Sequence, residues 1–299
     1  MKTLVGVIGL GIMGSAMAGN LLRAGFRVIG YDVLAARRRE HGRAGGVAAH
    51  SCAEVGERAR VVICSLPSSD ALLQTATELA AAPGRPRVVI ETSTLPIAVK
   101  DKARRVLAAR DTILIDCPLS GTGSQARTKD IVVYASGDRR ACGRVSPILN
   151  AIARAHYYVG AFGAGSKTKF VANLLVAVHN VAAAEALVLA KRAGLDPGMT
   201  LKVIADGAGS SRMLQVRGPL MVKGRYANAL MKLEIWQKDM TIIGDFARET
   251  GAATPLFAAT APIYTAATEA GGDRDTGAVC AVLEQIAGIR RKLKVQRSK

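Results

Sequence analysis

Along the first half of the chain, short runs dominated by Val, Ile, Leu and Tyr recur at regular intervals: "TLVGVIG" (3–9), "FRVIGYD" (26–32), "RVVICSL" (60–66), "RVVIE" (87–91), "TILIDCP" (112–118), "IVVYASG" (131–137) and "HYYVG" (156–160). Runs of this length and composition predict strands. Between most of them lie stretches rich in Ala, Leu, Arg and Glu that carry a helical pattern. Strand and helix in alternation predict a mainly parallel sheet with helices on both faces. "SCAE" at 51–54 reads as a capping box, and "TLP" at 94–96 places a proline where a helix can begin.

After Gly163 the pattern changes. No proline or glycine occurs from Ser166 to Ala193, which predicts a helix of about 28 residues, some 40 Å long at a rise of about 1.5 Å per residue. "AGLDPG" ends it, and helical patterns follow at about 197–206, 233–250, 255–270 and 276–292. The chain therefore divides into an α/β unit over 1–163 and an all-α unit over 164–299 that opens on the long helix.

Length and composition fit this division. A chain of 299 residues with 49% hydrophobic and 21% charged residues has material for two folded domains. No uninterrupted apolar run reaches the roughly 18 residues of a membrane span, and no leader-like segment opens the chain, so the expected location is cytoplasmic. Cys52, Cys64, Cys117, Cys142 and Cys280 are widely spaced and the four histidines do not cluster with them, which predicts buried thiols and no metal site. The net charge of +18 is partly concentrated in the terminal "RRKLKVQRSK". A solvated basic surface accounts for it; with only 4% aromatic residues there is little to stack on bases, and nucleic acid is not the expected partner.

Chemistry is suggested first by "VIGLGIMGSAM", in which Gly9, Gly11 and Gly14 stand in G-x-G-x-x-G spacing after a strand pattern and before a helix pattern. Such a turn brings backbone and a helix N-terminus against a pyrophosphate, with Leu10, Ile12 and Met13 as the intervening residues. The next strand ends in Asp32, eighteen residues after Gly14, where a carboxylate can accept hydrogen bonds from an adenosine ribose. Asp32 favours NAD; Arg37, Arg38 and Arg39 could reach the 2′-phosphate of NADP. A second stretch, "DCPLSGTGSQA" (116–126), follows a strand, and the backbone of Ser120, Gly121, Thr122 and Gly123 forms either a cradle for a carboxylate or an ordinary turn.

A third stretch, "GAGSKTKFVANLL" (163–175), puts two lysines on the opening turns of the long helix. Lysine there opposes the helix dipole, so fold stability does not explain it. Lys169 and Asn173 are i and i+4 and share a face, with Asn180 within about 20° of it at 100° per residue. A lysine whose pKa is lowered by desolvation or by a cationic neighbour such as Lys167 can take the proton of an alcohol during hydride transfer. Two solvated lysines are the alternative.

Taken in order, "GVIGLGIMGSAMAGNLLRAGF", Leu66 with Pro67, "STLP" (93–96), "DCPLSG" (116–121), "GAGSKTKFVANLL" and "QKDM" (237–240) make the chain resemble the β-hydroxyacid dehydrogenases, the group that includes 3-hydroxyisobutyrate dehydrogenase, tartronate semialdehyde reductase and glyoxylate/succinic semialdehyde reductases. The resemblance implies a Rossmann N-terminal domain, a long interdomain helix, an all-α C-terminal domain and a homodimer or homotetramer. It further implies Lys169 as general acid/base and Asn173 as its substrate-orienting companion. Ser120 and Gly121, extended to Thr122, would cradle a carboxylate. Leu66, Pro67 and Thr94 would line the cofactor, Lys238 would close over it, and Asp239 would support the substrate. The chain departs from the family pattern in Gly121-Thr122 for Gly-Gly, "TKDI" (128–131) for "AGTL", Ala172-Asn173 for two asparagines, and Met231 where phenylalanine is common.

The expected activity is thus NAD(P)-dependent interconversion of a small β-hydroxy acid and its semialdehyde or keto acid, with NAD preferred, a small anionic substrate and no metal. An imine reductase on the same architecture, and a non-catalytic polyanion-binding protein, are the rival expectations.

Overall fold

The structure, a computed structural model, describes residues 3–84 and 86–289, and the basic tail lies outside the described residues. Two compact units are present, Met1–Ala172 and Asn173–Lys299, and the division falls within the long helix Ala164–Arg192.

The first unit is built on nine strands: β1 (Leu4–Ile8), β2 (Arg27–Tyr31), β3 (Val47–Ala48), β4 (Val61–Cys64), β5 (Val88–Glu91), β6 (Ile113–Asp116), β7 (Leu119–Ser120), β8 (Val132–Ser136) and β9 (Ala155–Gly160). Their order is β3-β2-β1-β4-β5-β6-β8-β7, with β9 on the free side of β8. Strands β1 to β6 are parallel; β8 runs antiparallel to β6 and β7. This is the doubly wound Rossmann arrangement, and its order reverses between β1 and β4, the switch point outside which ligands bind in such sheets.

Period-2 alternation within each apolar run sorts side chains to two cores. Val5, Val7, Ile63, Val88, Ile90 and Ile115 pack on one face with Met17 and Leu21 of helix Ile12–Arg23 and with helix Arg139–Ile152. Ile8, Ile29, Val62, Val89 and Leu114 face the other way, against Leu72, Leu79 and Leu107. Because both faces are covered, the strands read as unbroken hydrophobic runs.

Around Ser51 the capping box is only half formed. The Ser51 hydroxyl accepts from the Glu54 N–H, but Glu54 accepts from the N–H of His50 rather than of Ser51. Two short strands, β3 and β7, carry no apolar run of their own and were not expected from the sequence.

Among its described residues the second unit is helical apart from one isolated antiparallel bridge between Lys232 and Asp275. Helices Pro197–Asp206, Leu233–Thr250 and Pro255–Glu269 match the sequence pattern. Helix Arg212–Lys223 was not expected, since Gly218 and Pro219 interrupt its pattern. The run expected over 276–292 is a 3-10 turn, Thr276–Ala278, followed by helix Val279–Ile286, with residues beyond 289 outside the description.

By length and average hydropathy the helix Ala164–Arg192 is apolar enough to cross a membrane, although its polar residues leave no uninterrupted run. Several of those polar residues, among them Ser166, Asn173 and Asn180, have partners inside the protein. Asn180 is fully buried and donates to the Tyr264 hydroxyl at 3.1 Å and to the Thr276 carbonyl at 2.9 Å. Internal hydrogen bonds of this kind mark a core helix of a folded unit. They also take Asn180 out of the predicted site face and into the packing of the helical unit.

Candidate active site

Every cofactor residue expected within the first unit follows the C-terminal end of a parallel strand: Gly9 to Gly14 after β1, Asp32 after β2, Leu66 and Pro67 after β4, Thr94 after β5. Ser120 to Thr122 follow β6 by way of β7. The polypeptide delivers them to one edge because in a parallel sheet all strands point the same way.

The three turn glycines serve different ends. A Cβ on Gly9 would lie 2.1 Å from the Ser65 carbonyl oxygen, and Gly9 holds φ +88°, a left-handed conformation. One on Gly14 would lie 1.7 Å from the Gly9 carbonyl oxygen. Both are demanded by the protein's own packing. Gly11 has φ −66° and ψ −164°, accessible to any residue, and a Cβ there would meet nothing closer than Arg37 Nη1 at 3.7 Å. Among the described residues none requires glycine at position 11, and the helix that begins after it has no side-chain cap and no acidic residue in its first turn. Open space, uncapped N–H groups and the positive helix end together fit a dinucleotide pyrophosphate.

Asp32 is buried and holds this turn in place. Its Oδ2 accepts from the Leu10 N–H at 2.8 Å and pairs with Arg37 at 3.2 Å, while Oδ1 accepts from the Leu34 N–H at 2.9 Å. A carboxylate offers about four acceptor positions, so one on Oδ1 remains for a ribose hydroxyl. Arg38 is engaged elsewhere, donating to the Asp32 carbonyl and lying over the Tyr31 ring. Of the three arginines it is Arg37, half-exposed, that reaches the turn.

The 116–126 stretch, expected as either a carboxylate cradle or an ordinary turn, is partly committed to the protein's own hydrogen bonds. Leu119 and Ser120 pair with β8, Gly121 holds φ +139°, and the Thr122 N–H donates to Gln125 Oε1 at 3.0 Å as part of a cap on helix Gly123–Arg127. The Thr122 N–H is therefore committed to the cap, which corrects the idea of a cradle extending through it. Gly123 packs on Ile12: a Cβ there would fall 2.2 Å from Ile12 Cγ2. The Asn20 amide bonds the Ala126 carbonyl at 2.7 Å, so this segment and the glycine turn are neighbours.

Lys169 is half-buried in the second turn of the long helix, whereas Lys167 is exposed. Two residues apart on a helix, their side chains diverge by about 200°, which removes Lys167 as the close cationic neighbour envisaged from sequence. In the second unit Asn173 is buried and its Nδ2 donates to Asp239 Oδ2 at 3.0 Å, joining residues 66 positions apart. Lys238 Nζ lies 3.8 Å from Asp239 Oδ1. The segment leading to them is pinned by Asp275, which accepts the N–H groups of Leu230 and Met231 and pairs with the buried Arg217 at 3.1 Å.

Sequence reasoning missed a buried triad under the same sheet edge. Lys100 Nζ lies 2.6 Å from Glu91 Oε2 and 2.8 Å from Asp116 Oδ1, all three side chains fully buried. Burial alone would push the lysine pKa down; the two carboxylates outweigh it and hold the ammonium above its ordinary value. Its phase could have revealed it: Lys100 shares the buried stripe of its helix with Ala103 and Leu107, at i+3 and i+7.

Comparison with known proteins agrees with this geometry. The family profile for the NAD-binding domain of 6-phosphogluconate dehydrogenase matches residues 4–160, and that for the NAD-binding of NADP-dependent 3-hydroxyisobutyrate dehydrogenase matches residues 163–283. An L-threonate dehydrogenase of Cupriavidus necator is 37% identical over 287 residues, covering 94% of this chain and 96% of that one. The chain belongs to the β-hydroxyacid dehydrogenases. A 3-hydroxyisobutyrate dehydrogenase from Salmonella typhimurium superposes with a TM-score of 0.83 at 30% identity, over 94% of this chain and all of the other. An imine reductase from Pseudomonas shares 18% identity at a TM-score of 0.61, over 95% of this chain and 100% of that one, a likeness of fold alone. As a β-hydroxyacid dehydrogenase, the chain is an NAD(P)-dependent oxidoreductase whose Rossmann turn and helical second unit are those of its relatives.

Proposed function

We propose that this β-hydroxyacid dehydrogenase oxidises a small hydroxy acid, or reduces the matching semialdehyde or keto acid, with Lys169 as the proton-transfer residue and NAD as the preferred cofactor. The observation that carries the reading is the open approach at Gly11 on the sheet edge where the long helix begins. The nicotinamide, when bound, supplies the hydride acceptor or donor. Lys169 in its neutral form takes the hydroxyl proton during oxidation; as an ammonium it returns that proton during reduction. Asn173, its amide held by Asp239, orients the substrate. The Ser120 and Gly121 backbone receives the carboxylate, Leu66, Pro67 and Thr94 line the cofactor, and Lys238 covers it.

Preference for NAD is supported by the buried Asp32 carboxylate, which would face a 2′-phosphate with like charge; Arg37, paired with it, would soften that repulsion. The polyhydroxy acid in the name of the Cupriavidus relative suggests the first substrate to try. Four-carbon acids of that kind have more hydroxyls to satisfy than 3-hydroxyisobutyrate, and the departures at Thr122 and Met231 are the positions where the two substrates would be told apart. The protein is read as cytoplasmic and homo-oligomeric, with exposed Leu189, Met199 and Val203 of the helical unit as apolar surface for assembly.

The test is a panel of L-threonate, 3-hydroxyisobutyrate, glyoxylate and succinic semialdehyde, followed by nicotinamide absorbance with NAD and NADP cofactors side by side. Turnover of one panel member with NAD favoured, and its loss in Lys169→Ala with NADH affinity retained, is the expected result. Normal turnover in Lys169→Ala would remove the mechanism.

A further inference from the structure

The buried Lys100 triad lies beneath two parts of the cofactor edge at once. Glu91 and Asp116 are the last residues of β5 and β6. From Glu91 the connection runs outward: Oε1 accepts the Ser93 N–H at 2.9 Å, and the Ser93 hydroxyl oxygen accepts the Leu66 N–H at 2.8 Å. From Asp116 it runs to the long helix. Asp116 Oδ2 accepts the Ser166 N–H at 2.7 Å and Oδ1 accepts the Ser166 hydroxyl at 2.9 Å, with the Ser136 hydroxyl on Oδ2 at 3.2 Å. Asp116 thus stands at the N-terminus of the long helix, where the helix dipole favours an acid.

Ser166 is thus gripped at two atoms by one buried carboxylate. Gly165 beside it donates to the Ser136 hydroxyl at 2.9 Å and tolerates no side chain, since a Cβ would lie 2.4 Å from the Tyr134 carbonyl oxygen and 2.8 Å from that of Asp116. The first turn of the helix rests directly on strand backbone. Lys169 follows Ser166 by three residues and shares its face of the helix. A small rotation or lift of this turn would break both bonds to Asp116 and carry Lys169 with it.

We propose that Lys100, Glu91 and Asp116 form a positioning group for the reaction: one buried cation fixes both the Leu66 and Ser93 loops and, through Ser166, the turn that presents Lys169. This rests on the reading of Lys169 as the proton-transfer residue. The lysine itself touches no substrate; it acts through the two carboxylates.

Lys100→Met is the direct variant, but orphaned buried carboxylates can prevent folding, so Ser166→Ala is the deciding one. It removes a single hydroxyl and leaves the triad intact. The assay is oxidation of L-threonate and of 3-hydroxyisobutyrate with NAD across pH, together with NADH binding by fluorescence and amide exchange over residues 163–172. In Ser166→Ala we expect kcat to fall about 10- to 100-fold, as for a reacting group displaced by about 1 Å. The pH midpoint of kcat moves, exchange over 163–172 rises, and NADH affinity stays as in the wild type. Wild-type kcat and pH midpoint in folded Ser166→Ala, beside an inactive Lys169→Ala, would overturn the positioning role alone. Turnover retained in Lys169→Ala would overturn the proton-transfer reading and this proposal with it. A Ser166→Ala loss carried wholly by weaker NADH binding would also overturn it, because the triad would then serve only the cleft.

Discussion

Replacing Gly11 with alanine separates what the glycine turn does for the protein from what it does for a ligand. In the structure the added methyl meets only Arg37 Nη1, at 3.7 Å, and the backbone at φ −66° suits alanine. Alanine is a poorer N-cap than glycine, by up to about 1 kcal/mol, but it also restricts the unfolded chain, which returns about 0.4–1 kcal/mol. The two nearly cancel, so the melting temperature is expected within a few degrees of the wild type. With a dinucleotide the outcome is different, because the methyl projects into the space through which the pyrophosphate approaches the uncapped helix end. Losing one charge-assisted hydrogen bond there costs about 1.5–3 kcal/mol, which is about 10- to 150-fold in Kd.

Fluorescence titration of NADH and NADPH, beside a thermal melt of the unliganded protein, measures both quantities. Gly14→Ala is the control, since its methyl would fall 1.7 Å from the Gly9 carbonyl oxygen and must disturb the fold itself. A folded Gly11→Ala protein that bound NADH as tightly as the wild type would refute the assignment of this turn as the pyrophosphate cradle.

Lys100→Met leaves two fully buried carboxylates without their cation, a loss of about 3–5 kcal/mol near neutral pH. Urea unfolding of the variant beside the wild type measures that loss; a change well below about 1 kcal/mol would contradict the triad. Burial raises the thiol pKa of Cys52 to about 12 and of Cys142 to about 11, from an ordinary 9.0. Stability from these raised groups is complete below the unfolded value and is lost as pH rises through the folded ones, so urea midpoints should fall between pH 9 and 12. His41 is lowered by burial, so its contribution is complete above its ordinary value of 6.5 and is lost as pH falls below it, which the same midpoints measured towards pH 5 would reveal.

The elements of the first unit that could be read from the chain are those with a strong local signal. All seven apolar runs became strands; β1, β2, β4, β5 and β6 are parallel and buried, so little along their length needs to be polar, whereas β9 is a half-exposed strand marked by its β-forming Tyr157, Tyr158 and Val159. The two-residue strands β3 and β7 have no such signal; their pairing is decided by the neighbouring strand. Helix Arg212–Lys223 was hidden by Gly218 and Pro219, residues that ordinarily interrupt a helix. Here Gly218 gives room to the side chain of Leu201, whose Cδ1 would lie 2.5 Å from a Cβ. That is a tertiary reason, which no local pattern contains.

Lys100 shows the same limit in the site. In "IAVKDKARRVLA" it is one of four basic residues, and Lys102, Arg104 and Arg105 are the solvated surface that such a helix usually carries. Helical phase sets Lys100 with Ala103 and Leu107 instead, on the side that faces the sheet. A lysine on that side has to find a negative charge there. Two candidates, Glu91 and Asp116, end adjacent parallel strands, and register places Glu91 opposite Asp116. Two carboxylates side by side in a core repel each other and cost desolvation, and a cation between them offsets both terms. The acid that grips Ser166 is therefore paired, at 2.8 Å, with a lysine from another segment. For that reason the position of Lys169 depends on a side chain that the sequence sets among the basic surface residues of its helix but the helical phase sets on the buried stripe.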